Sequence, residues 1–109
     1  MKKIACDFKE VESLYEAYMP FIKQAALFVK THEPFALGDE LILDLHLMKE
    51  PDRLDMQARV IWLTPVGAQG GRSGGIGVQF TGEGHEKLRH KIETYLAGML
   101  DSPRQTQTL

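Results

Sequence analysis

The sequence predicts a mainly β fold, a small antiparallel β-barrel carrying one C-terminal amphipathic α-helix. Three observations predict it: strand-like alternation through the middle of the chain, a glycine-rich reversal after it, and a switch to helical period near the end. Ile4 to Phe8 reads as a short edge strand. Ser13 and Glu16 stand at capping-box spacing, so Leu14 to Met19 reads as a short helical turn (about 14–19) that Pro20 stops. Phe21 to Lys30 follows as a strand, with Ala25, Leu27 and Val29 on one face and Ala26 and Phe28 on the other. Alternation is cleanest from Glu40 to Met48, where Leu41, Leu43, Leu45 and Leu47 point one way and Ile42, Asp44 and His46 the other. Met56 to Thr64 places Met56, Ala58, Val60 and Trp62 on one face and Gln57, Arg59, Ile61 and Leu63 on the other. The Pro51-Asp52 turn between these runs pairs them as an antiparallel hairpin. Six of the ten glycines lie from Gly67 to Gly77, the composition of a long hairpin tip in which positive φ costs little. Gly75 to Thr81 is the returning strand. Leu88, Ile92, Tyr95, Leu96 and Met99 then recur at three- and four-residue steps, so a helix over about 83–100 lays its apolar stripe on the barrel. The polar residues 101–109 read as a flexible tail, leaving 1–100 as a single domain.

Composition narrows the function. The 109 residues carry 13 Lys and Arg against 15 Asp and Glu, a formal charge of −2, with 43% apolar and 26% charged residues. That balance is globular, and it lacks the basic excess with which nucleic-acid binders neutralise phosphates. Met1-Lys2-Lys3-Ile4-Ala5-Cys6 opens like an export leader, but Asp7 and Lys9 interrupt it at once. No run approaches the roughly 18 apolar residues of a membrane span. The single Cys6 cannot form an internal disulfide and suits a reducing compartment. The expectation is a cytoplasmic protein without nucleic-acid partner or direct membrane insertion.

Several motifs resemble chemistry without its context. Gly71-Arg72-Ser73-Gly74-Gly75 matches the nucleophile elbow, but a strand follows Ser73 where the elbow needs a helix, and Asp101 comes after His85 and His90 rather than before them. His85 and His90 are one residue too far apart for a zincin pair. Five helical steps leave them roughly 140° apart on the cylinder, on a face shared with Lys87 and Arg89. Asp44 and His46 share a strand face, and no third ligand accompanies them. Cys6 has no histidine partner in sequence. The chain reads as non-enzymatic, with no cofactor and no metal. Tyr15, Tyr18, Met19, Pro20 and Phe21 are different: they cluster outside the strand alternation and either plug one barrel end or anchor a partner. Trp62 divides in the same way between core and exposed surface.

Ala26-Leu-Phe-Val29, Leu37-Gly-Asp-Glu40, Val60-Ile-Trp62 and Gly75-Ile-Gly-Val-Gln-Phe80, followed by a terminal helix, resemble a PilZ domain over residues 4 to 100. Leu14-Tyr-Glu-Ala-Tyr-Met-Pro-Phe21 and Thr64-Pro-Val-Gly-Ala-Gln-Gly70 are similar to the stand-alone PilZ subgroup of type IV pilus biogenesis. Most PilZ domains bind cyclic di-GMP through an RxxxR motif before the barrel and a D/N-x-S-x-x-G motif on its first strand, because arginine forks grip phosphates and small groups permit close approach. Here no two of Arg53, Arg59, Arg72, Arg89 and Arg104 are four apart, and Phe21, Lys23 and Ala26 take the Asp, Ser and Gly positions. The resemblance therefore implies an adaptor that does not itself bind cyclic di-GMP. Its implied partners are the pilus extension ATPase and a GGDEF-EAL domain protein that senses the nucleotide, and its implied protein-interaction residues are Tyr15, Tyr18, Met19, Pro20 and Trp62 as exposed anchors. The alternative is a PilZ-type cyclic di-GMP receptor that uses non-standard residues.

Overall fold

The computed structural model describes residues 1–64 and 74–100; the tip of the glycine-rich segment, Ser73 and the tail at 101–109 lie outside the described residues, as do the side chains of Met99 and Leu100. The elements are β1 (Lys2–Phe8), α1 (Val11–Ala17), β2 (Tyr18–Met19), β3 (Ala26–Lys30), β4 (Glu40–Leu47), β5 (Leu54–Thr64), β6 (Gly75–Phe80) and α2 (His85–Leu100). The strands form one sheet in the order β1-β4-β5-β6-β3-β2. Its pairings are antiparallel except that β1 runs parallel to β4.

Alternation sends one face of this sheet into a single core. Ile4, Cys6 and Phe8, the four leucines of β4, then Met56, Ala58, Val60, Ile76, Val78, Phe80, Leu27 and Val29 are all buried there. Leu14 and Ala17 of α1 and Leu88, Ile92 and Leu96 of α2 cover that face. The mainly β class and the C-terminal helix thus stand, and the helix begins at His85.

Closure of the barrel does not occur. β2 has two residues, Pro20 follows with no N–H to extend it, and the sheet keeps free edges at β2 and β1. The first helix also differs from expectation. It starts at Val11, with Glu10 as an N-cap that makes no side-chain cap bond, so Ser13 lies inside it and the capping box does not form. It ends at Ala17 because Tyr18 and Met19 turn extended to pair with Leu27 and Ala26. The strand expected from Phe21 begins only at Ala26. Gln24 and Ala25 take left-handed φ values of 65° and 69°, and Ala25 N–H donates to Ile22 O at 2.8 Å, which makes Pro20–Ala25 the reversal between β2 and β3.

Two carboxylates hold α2 to the rest of the fold. Glu50, after β4, accepts from Lys91 Nζ at 2.8 Å and from the Tyr95 hydroxyl. Glu93 accepts from Tyr18 Oη at 2.6 Å and from Arg89 Nε at 3.1 Å.

Candidate functional site

The residues singled out by sequence fall on two sides of the sheet, and a bulge decides which. Val60 pairs with Val78 and Trp62 with Gly77, so Ile61 is an extra residue on β5. Beyond it the alternation is one step out of phase. Trp62, expected on the face of Met56, Ala58 and Val60, is turned outward and is 60% exposed. Its Nε1 donates to Thr64 Oγ1 at 2.9 Å, which orients the indole along the outer face. Met19 arrives at the same place from β2: a Cβ added to Gly77 would lie 2.9 Å from Trp62 Cβ and 3.1 Å from Met19 Cε. The absence of a side chain at Gly77 lets Trp62 and Met19 converge over it.

Tyr18 turns the other way. Its cross-strand partner Leu27 belongs to the core face, and Tyr18 itself is only 9% exposed. The expectation of Tyr18 as an exposed anchor is therefore corrected. Its hydroxyl bonds Glu93, and burial followed by that bond pushes the phenol well above its ordinary pKa. The same bond, with Arg89 behind it, holds the Glu93 carboxyl below its ordinary value. Tyr15, on α1, is 36% exposed and lines a cleft of about 300 Å³ with Tyr18, Pro20, Glu93 and Leu96. Pro20 is exposed. Phe21 was left out of the implied interaction set and is the most exposed aromatic described, at 79%. Phe21 is exposed because it lies in the Pro20–Ala25 reversal, and Pro20, which cannot donate to a ladder, is the one local signal that the strand does not run through it.

The rest of the outer face is polar and largely self-paired. Arg53 bridges Asp44 Oδ1 at 2.7 Å and Asp7 Oδ1 at 2.6 Å, and Lys3 lies 3.1 Å from Asp55. Asp44 and His46 do not meet as an acid-base pair. Asp44 is taken by Arg53, and His46 Nε2 lies 2.7 Å from the Glu50 carbonyl, which can only accept. Against this saturated half, the Trp62 and Met19 end presents apolar area.

At the positions aligned with the D/N-x-S-x-x-G motif, Phe21 is exposed, Lys23 is exposed, and Ala26 is fully buried beneath its neighbours. Arg53 and Arg89 are committed to ion pairs, while Arg59 makes none among the described residues. Arg72, Ser73 and Arg104 fall outside the described residues. His85 and His90 stand on α2, and no cluster of three or more potential metal ligands forms among the described residues. No helix among the described residues is long and apolar enough to cross a membrane. A family model described as PilZ domain matches residues 2–98. A search of curated proteins finds no match.

Proposed function

Because the chain belongs to the PilZ domain family, whose members are regulatory and binding domains, we propose that it is a cytoplasmic adaptor of type IV pilus assembly that does not itself bind cyclic di-GMP. Its partners on this reading are the pilus extension ATPase and a GGDEF-EAL domain protein, so the nucleotide acts on it only through the second. The observation that carries the reading is the exposed Trp62 packed beside Met19, with Pro20 and Phe21 exposed nearby in sequence. Large, rigid aromatic side chains beside Met are the composition of interface anchors, and an indole on an outer sheet face adds little to folding. Phe21 and Ala26 offer no side-chain donor or acceptor, and a lone exposed Lys23 gives little phosphate affinity in salt.

The test is capture of the purified ATPase and of the GGDEF-EAL protein by the full chain and by Trp62→Ala and Tyr15→Ala. The expected outcome is at least about tenfold weaker capture of one partner by a variant whose melting temperature stays within a few degrees of the parent. Equal capture by both variants and the parent would remove these residues from the interface.

A further inference from the structure

The unclosed side of the sheet has a chemistry of its own. β1 pairs only with β4, and β2 covers only Ala26 and Leu27 of β3, so the remainder of β3 and the outer edge of β1 face each other across a cleft of about 460 Å³. Hydrogen-bond phase shows what each edge offers. Phe80 N–H donates to Ala25 O and Thr31 N–H to Gly74 O, so odd-numbered residues of β3 bond to β6, while Phe28 and Lys30 direct N–H and C=O into the cleft. Phe8 O accepts from Met48 N–H on the β4 side, so Phe8, Cys6 and Ile4 bond to β4, while Ala5 and Asp7 direct theirs into the same cleft. No backbone bond joins the two edges among the described residues. Running β1, β4, β5, β6 and β3 in order makes β1 and β3 antiparallel to each other, so an inserted strand pairs parallel with one and antiparallel with the other.

The floor of this cleft is Cys6, Val29 and Ala17, small or buried side chains, and α1 adds Glu16 at its wall. Asp7 is already paired with Arg53, so the remaining charges of the lining are the Glu16 carboxylate on α1 and the Lys30 ammonium on β3. We infer that this slot receives an extended segment of a partner protein as an added strand between β1 and β3, with small side chains facing Cys6 and Val29 and a basic residue near Glu16. Main-chain bonds on two edges supply affinity, and the Glu16 charge selects the segment. Helix α1 ties the slot to the proposed partner surface, since Glu16 lines one and the adjacent Tyr15 the other. The inference does not require the pilus reading.

The probe is a library of random dodecapeptides displayed on phage and selected on the immobilised full chain, followed by hydrogen exchange with a selected peptide made synthetically. The expected result is selection of peptides that carry Lys or Arg and slow exchange at the Ala5, Asp7, Phe28 and Lys30 amides by about tenfold or more. Ala5→Pro removes a donor that β4 does not use and should weaken binding about tenfold, and the exposed Glu16→Lys, which leaves the strands intact, should weaken it by a similar factor. Trp62→Ala should leave peptide binding unchanged, which separates failure here from failure of the adaptor reading. The inference is overturned if no peptide is selected, if protection falls on Met19 and Trp62 instead, or if Glu16→Lys binds as the parent does. Protection of the same four amides by a synthetic peptide of residues 101–109 would make the chain's own tail the occupant and overturn the partner assignment.

Discussion

Trp62 owes its position to one inserted residue and one missing side chain. Ile61 shifts the phase of β5 so that the indole leaves the core face, and Gly77 opens the space in which Trp62 and Met19 meet. The end of Met19 can swing aside, but Trp62 Cβ is tied to the strand backbone, so a methyl at Gly77 must move the ladder itself. Gly77→Ala should therefore destabilise the fold by about 1–3 kcal/mol in urea denaturation and shift the tryptophan emission. An unchanged midpoint would mean that Trp62 and Gly77 are not packed against each other. Cys6 tests the opposite face. Burial pushes its thiol up to about 11, with the Asp7 charge adding to the effect. Almost no thiolate exists at pH 8, so a thiol reagent should label the folded chain far more slowly than the denatured one.

Among the elements, α2 is held by two carboxylates, Glu50 from just after β4 and its own Glu93, which reaches back to Tyr18. Hydrogen bonds from Lys91 and Tyr95 hold the Glu50 carboxyl below its ordinary value, and Tyr18 with Arg89 does the same for Glu93. Groups depressed in the folded state contribute stability that is fully present above their unfolded pKa, about 4.3, and lost as pH falls through the folded values. The melting temperature should therefore fall more steeply between about pH 5 and 3 for the parent than for a Glu50→Gln, Glu93→Gln double variant. Parallel curves would show that these bonds add nothing. Much of this level is legible in the chain. A period of two makes the core faces of β4 and of β5 up to Val60 readable, and a period near 3.6 does the same for Leu88, Ile92 and Leu96. The bulge has no signature in alternation, because apolar Val60, Ile61, Trp62 and Leu63 suit either phase. The burial of Tyr18 depends on a hydroxyl partner 75 residues away, and no local pattern carries such a pairing. The early end of α1 follows from pairing of Tyr18 and Met19 with β3, a tertiary preference that outweighs the capping-box spacing of Ser13 and Glu16. For the candidate site, the sequence marks Tyr18, Met19 and Trp62 as large side chains, while only the fold shows that Tyr18 turns to the core and Trp62 to the outer face.

At the scale of the whole molecule, the sheet has one face closed by helices and one face open, and the open face is divided. Around Arg53 its charges are paired with each other, while around Trp62 and Met19 it presents apolar side chains. The chain belongs to the PilZ family, and on the proposed reading its Phe21, Lys23 and Ala26 leave this scaffold to recognise polypeptides rather than a dinucleotide. The most direct test of this claim is a calorimetric titration of the full chain with cyclic di-GMP at physiological salt. The account predicts no saturable heat into the high micromolar range, and saturable binding at low micromolar concentration would contradict it.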